Sequence, residues 1–180
     1  MGEEAKSVQR QESTTSLYLR NFIFGVEDSL VSTVGLLSGI AAVGVGRGII
    51  FVTGVILIFV EAFSMAVGSF LSEHSADEYL SEKGAVLRPT IIAALIMFFS
   101  YFGAGFIPLT PYIVAEVGSA LGISIGLTLL ALFALGAGSA KMFGARVGRN
   151  GLKMLIIGGI AVIMGVVVGG IAQQFLPATL

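Results

Sequence analysis

Apolar runs of about 20 residues recur along this chain from residue 21 onward, separated by short polar or glycine-rich links. A run of that length is what a helix needs to cross the ~30 Å hydrocarbon core of a bilayer. No water is available there to satisfy backbone N–H and C=O groups, so each run closes its hydrogen bonds internally, as a helix. Five runs can be drawn, at about 21–43, 49–72, 89–109, 118–140 and 152–175. Mean hydropathy is +0.98 and 56% of residues are hydrophobic, beyond what a soluble domain tolerates. The expectation is an all-α integral membrane protein: a polar segment over 1–20, then a five-helix transmembrane domain over 21–176. With 180 residues in all, no length remains for a soluble enzyme domain.

Lysine and arginine fix the expected orientation. Lys6, Arg10 and Arg20 precede the first run, Lys83 and Arg88 follow the second, and Lys141, Arg146, Arg149 and Lys153 follow the fourth. These groups fall on one side of the membrane and only Arg47 on the other. The positive-inside rule therefore makes the N-terminus cytoplasmic and the C-terminus external. Tyr18, Phe22 and Phe24 around Arg20 read as a segment at headgroup level before the chain enters the bilayer. The polar first 16 residues, and the lack of a small-residue cleavage site after the apolar stretch near Asn21, argue against a cleavable signal.

Other function classes drop out on composition. There is no cysteine, hence no disulfide, thiolate metal site or redox motif. A net charge of −1 without a basic patch gives nucleic-acid binding no support. Small residues four apart recur, with Gly35 and Gly39 in the first run, Gly165 and Gly169 in the last, and Ser64, Gly68 and Ser72 in the second. Each set is a close helix contact, within one protomer or at a dimer seam. No internal repeat is evident, and five spans do not divide into two inverted halves, so a symmetric path requires a second copy of the chain.

The informative residues are acids inside the apolar runs: Glu27 and Asp28 in the first, Glu61 in the second. A carboxyl in hydrocarbon costs a few kcal/mol, which argues for a bundle interior, a water-filled path or a bound cation. Asp28 lies about seven residues into its helix, roughly 10 Å deep, and Met65 lies equally far from the cytoplasmic end of the antiparallel second helix. Glu61 is one turn deeper than Met65, and Ser32 one turn deeper than Asp28, each on the same face of its helix. Asp28, Ser32, Glu61 and Met65 are therefore expected to face one cavity, with Glu27 about 100° around the helix from Asp28. Hard cations prefer an all-oxygen shell, whereas a thioether adds preference for softer first-row transition metals. A cation and protons compensate the same buried charge, so metal release and protonation are linked.

The second run continues as a polar helical stretch over Ser72 to Gly84, with His74, Glu78 and Glu82 on one stripe and Glu73 with Asp77 on the next. It reads as a cation-recruiting entrance, with the chain's one histidine as a nitrogen ligand, or simply as a solvated helix end. The basic, glycine-rich segment GSAKMFGARVGRNG reads as a loop that sets topology. Structural roles compete throughout. Methionine fills gaps between helices, and a buried acid can be held by a neighbouring serine or backbone group. The residues thus leave open a proton-coupled exporter of divalent metal and a non-transporting membrane scaffold or complex subunit. A proton-coupled transporter of some other substrate is a weaker third reading, since no organic substrate pocket is suggested.

Three segments carry a resemblance: FGVEDSLVSTVGLLSGIAA at Phe24 to Ala42, EAFSMAVGSFLSEHSADEY at Glu61 to Tyr79, and FGAGFIPLTPYIV at Phe102 to Val114. In that combination and order the chain resembles the vacuolar iron transporter family over nearly its whole length from residue 20. The resemblance implies a five-helix protomer, a homodimer in the lipid bilayer, and movement of ferrous iron or manganese out of the cytoplasm against protons. The metal is then substrate, and no cofactor is implied. It further implies that Asp28 and Met65 line the path. Two departures stand out. Larger members insert a helical metal-binding domain between the second and third helices, where this chain has only Ser72 to Arg88. Many members also have an acid two turns before the methionine, where this chain has Leu57; here Glu61 stands one turn closer.

Overall fold

The computed structural model describes the backbone of residues 2–80 and 87–175 and, within them, the side chains other than those of residues 2–13, Asp77 and Leu80. Glu82, assigned above to the entrance stripe, and Lys83 lie outside the described residues. Six helices follow one another: α1 (Gly2–Ala42), α2 (Arg47–Leu80), α3 (Leu87–Leu109), α4 (Pro111–Val114), α5 (Val117–Met142) and α6 (Val147–Gln173). Each of the five apolar runs becomes one long helix. The stretches long and apolar enough to cross a membrane are Thr14–Ala42, Arg47–Ala76, Leu87–Leu109, Val117–Met142 and Val147–Gln173.

The ends are where sequence and structure differ. α1 is one uninterrupted helix of 41 residues, about 60 Å long, so the polar segment is helical and runs into the first span without a break at Arg20. The expected basic loop shrinks to Phe143–Arg146, because α5 and α6 both extend into it. The two helices pack tightly where they meet: a Cβ at Gly136 would stand 2.6 Å from the Asn150 carbonyl oxygen, so they touch backbone to backbone. The tight turns before α2 and α6 each contain a glycine with positive φ, Gly44 (+80°) and Gly144 (+66°), a conformation that a Cβ disfavours. The third helix continues through Pro108 and breaks after Leu109, with Pro111 opening the single-turn α4.

α1 is the centre of the bundle. It packs most extensively on α3 and α6 and also meets α5 and α2. The small residues of α1 and α6 face one another: a Cβ at Gly39 would lie 2.6 Å from the Gly165 carbonyl oxygen, and one at Gly169 would lie 2.5 Å from that of Gly39. This pair of motifs therefore closes a helix contact within one protomer. The second set behaves otherwise. Nothing lies within 4 Å of a Cβ at Gly68, and Ser64, Gly68 and Ser72 open into a cavity instead of sealing a seam. Large apolar residues such as Phe63, Phe99 and Ile163 remain exposed around the outside, as a surface solvated by lipid requires.

Candidate metal site

Contacts between helices fix the level of each polar group. Asn21 meets Ser69, and a Cβ at Gly54 would lie 3.1 Å from Leu37, so α1 and α2 run antiparallel with Gly25 level with Met65 and Asp28 near Glu61. α3 is registered against both. Gly54 abuts Leu109 and Gly105 abuts Ile58 on α2, while the Ser29 hydroxyl donates to the Tyr101 carbonyl at 2.6 Å on the α1 side. Met97 thus stands level with Gly25 and Met65, and Tyr101 level with the acids.

Asp28 and Glu61 are both partly buried and lie close enough to interact through their charges, and Glu27 interacts in the same way with Asp28. Among the described residues no hydrogen bond reaches either the Asp28 or the Glu61 carboxyl. Ser32 is turned toward α3: its hydroxyl lies 2.6 Å from the Tyr101 phenol, with a marginal 3.5 Å contact to the Ser29 carbonyl. Tyr101 is fully buried and sits within electrostatic range of Asp28 and Glu61. The sequence reading missed it, although a phenol in mid-span is open to the same argument as a mid-span acid.

Above this level, toward the end of the bundle that carries most of the lysines and arginines, α1, α2 and α3 diverge around a cavity of about 680 Å³. Met65 lines it with Met97, Asn21, Ser64 and Ser69. Asn21 is almost fully buried and is held from both ends of its amide, donating to the Leu17 carbonyl at 3.0 Å and accepting from Ser69 at 2.5 Å. At the mouth, Arg20 pairs with Glu73. The four residues expected at one cavity are therefore split. Met65 lines the wall, the two acids lie one turn below it, and Ser32 is a further turn down, where it also lines a groove between α1 and α6.

The expected entrance stripe is dispersed. Glu73 turns inward to Arg20, whereas the His74 ring stacks on Phe70 at 5.7 Å, its Nδ1 buried without a hydrogen-bond partner among the described residues. Glu78 is exposed, and the side chain of Asp77 is not among those described. Among the described residues no three His, Asp or Glu groups converge as a metal cage. What the bundle assembles is an open arrangement of two carboxylates beneath a thioether. In chemical terms such a set could offer a divalent ion charge compensation and one soft contact, with positions left for water or further ligands.

A family model described as the VIT family matches residues 19–88 and 80–170, together spanning nearly all of the bundle. The chain belongs to the VIT family. Among the relatives of this VIT-family chain is vacuolar iron transporter homolog 3 of Arabidopsis thaliana, 29% identical over 83% of this chain and 80% of the relative. Vacuolar iron transporter homologs 1 and 2 of Oryza sativa subsp. japonica are 27% and 26% identical, over 80% and 82% of this chain and 69% and 86% of their own lengths. Membership of the VIT family and five apolar helices together make this an integral membrane protein.

Proposed function

We propose that this VIT-family chain is a transporter that carries divalent transition metal, ferrous iron or manganese, out of the cytoplasm in exchange for protons. Asp28, Glu61 and Met65 form the intramembrane site, with Glu27 and Ser32 at its edges. The observation that carries the reading is the stacking of levels: Asp28 and Glu61 lie within electrostatic range of one another on antiparallel helices about one turn below Met65, which lines a cavity that reaches Arg20 and Glu73 toward the basic end. By the positive-inside rule that end is cytoplasmic. Family membership and relatives named as iron transporter homologs support the same substrate class.

The chemistry follows from charge. Two neighbouring carboxylates in a low-dielectric bundle require positive charge beside them, which a divalent cation supplies in one step and protons supply when it leaves. Two acids and one sulfur leave coordination positions open, and a homodimer with the sites of two copies facing one another would fill them. The scaffold reading draws no comparable support, since among the described residues neither Asp28 nor Glu61 is tied into a helix-to-helix hydrogen bond.

The deciding experiment reconstitutes the protein in liposomes of verified orientation and follows Fe²⁺ or Mn²⁺ uptake under an imposed pH gradient, for wild type and Asp28→Asn. Gradient-driven uptake that disappears in the variant, with the oligomer still assembled, is the expected result. Absence of uptake of any divalent ion by folded wild-type protein favours the scaffold.

A further inference from the structure

Met97 was no part of the sequence reading. It is only 3% exposed, and a buried methionine on a helix is ordinarily packing. Three observations set it apart. It lines the same cavity as Met65, from a different helix. Its level is that of Met65, as the α1, α2 and α3 contacts require. And its sulfur has a fixed neighbour: a Cβ at Gly25 would stand 3.1 Å from Met97 Sδ and would collide with the Ser100 hydroxyl, so glycine there gives the thioether its room. Gly25 is three residues, less than one helical turn, before Asp28 on α1.

We infer that Met65 and Met97 form a two-sulfur collar at the base of the cytoplasmic cavity, a staging site for soft divalent cations one turn ahead of the Asp28 and Glu61 carboxylates. This rests on the proposed transport reading and deepens it by naming where selectivity arises. A single thioether among carboxylates and water biases a site weakly. Two thioethers with the Ser64 and Ser69 hydroxyls nearby, and with Glu73, paired to Arg20 at the mouth, as the one carboxylate lining the cavity among the described residues, form a soft environment that magnesium and calcium have little reason to shed water for. A softer ion exchanges water for sulfur there and then meets its charge compensation one turn further on. Arg20, paired with Glu73 at the mouth, keeps the rim acid from holding hard cations in front of the collar.

The test is methionine-methyl NMR on the full chain in nanodiscs, its six methionines assigned by single Met→Leu variants, titrated with Cd²⁺ as soft probe and Mg²⁺ as hard probe. The Met65 and Met97 methyl signals are expected to move together with Cd²⁺ and to stay fixed with Mg²⁺. Met97→Leu is expected to weaken the Met65 response to Cd²⁺ severalfold and to lower the ratio of Cd²⁺ to Mn²⁺ uptake in proteoliposomes severalfold. A Met97 methyl that stays fixed while Met65 moves overturns the collar and leaves the transport reading standing. Both methyls moving while Asp28→Asn transports normally keeps the collar and overturns the assigned carboxylate site. Should Met97→Leu fail to fold, the wild-type titration decides.

Discussion

The Tyr101 phenol and the Ser32 hydroxyl lie 2.6 Å apart, joining α3 to α1 beside Asp28 and Glu61. With Ser29 bonded to the Tyr101 carbonyl, two serines on adjoining faces of α1 grip one residue of α3. This grip sets how far α3 stands from the acids. Tyr101→Phe removes one hydrogen bond and leaves the Ser32 hydroxyl only its marginal contact with the Ser29 carbonyl. It is expected to lower stability by about 1 kcal/mol. If Tyr101 positions the acids, metal uptake falls as well. Thermal unfolding and proteoliposome uptake, measured on the same preparation, separate the two effects; unchanged uptake in a destabilised variant leaves Tyr101 a purely structural residue.

Arg20 and Glu73 close the cavity mouth, but the Arg20 side chain is 66% exposed. An ion pair so open to water contributes about 0–1 kcal/mol, so Arg20→Ala is expected to leave the melting temperature nearly unchanged. Its effect is on cation capture. Freed of its partner, Glu73 presents a bare carboxylate to incoming cations, so the KM for divalent ions is expected to fall at low ionic strength and to return toward wild type at high salt. Glu73→Gln is expected to raise it. A KM indifferent to both substitutions and to salt would show that the mouth takes no part in capture.

Gly165 on α6 approaches the Gly35 carbonyl so closely that a Cβ would land on its oxygen. Backbone sits opposite, so nothing flexible can give way. Gly165→Ala is expected to cost about 1–3 kcal/mol, as overpacked helix contacts do. Gly170→Ala, where a Cβ meets open space, is the control and is expected to be neutral or slightly stabilising. Equal melting temperatures for both variants would mean that α6 does not pack on α1 through these glycines.

Tyr112, in the short α4 outside the spans, is 1% exposed, and its hydroxyl has no hydrogen-bond partner among the described residues; the adjacent Ser124 donates to the Pro108 carbonyl at 2.7 Å. Burial pushes its phenol up to about 12, with the Ser124 hydroxyl acting the other way. The stability held by the neutral phenol is therefore complete below the ordinary tyrosine value of 10.0 and is lost as pH rises through about 12. Tyr112→Phe removes a buried, unpaired oxygen and is expected to be neutral or stabilising by about 1 kcal/mol at neutral pH. It is also expected to flatten the alkaline loss of stability, which a melting series from pH 8 to pH 12 would display. A loss comparable to that of Tyr101→Phe would mean that a hidden partner holds the hydroxyl.

Much of the site was legible because its residues violate the local rule of their surroundings. Counting residues put Asp28 level with Met65 and Glu61 one turn deeper, whereas the helix contacts put Asp28 level with Glu61 and Met65 one turn above both, because residue counts fix depth only to about a turn while the register between helices is set by packing. Counting could not say which way a side chain turns. Ser32 shares a face with Asp28 in the helical repeat, yet it is committed to Tyr101 because α3 lies there. At the entrance, Glu73 and His74 lie on the separate stripes expected of them, and the tertiary structure adds that α1 offers Arg20 to Glu73, while His74 stacks on Phe70, its own i−4 neighbour. Tyr101, Asn21 and Met97 are supplied by helix pairings that periodicity in one segment does not contain.

Residue order alone was enough to establish an all-helical membrane protein with five long apolar helices, whose mid-span acids are Glu27, Asp28 and Glu61. Both follow from one-dimensional physics, the length of an apolar run against the thickness of hydrocarbon and the cost of a charge within it. Which small-residue motif closes a helix contact and which opens a cavity came from the packed bundle, since Gly35 and Gly39 with Gly165 and Gly169, and Ser64 with Gly68, carry the same spacing. Such a motif states that two backbones can approach. Whether they do depends on which helix stands opposite, and that is settled by packing the whole bundle at once.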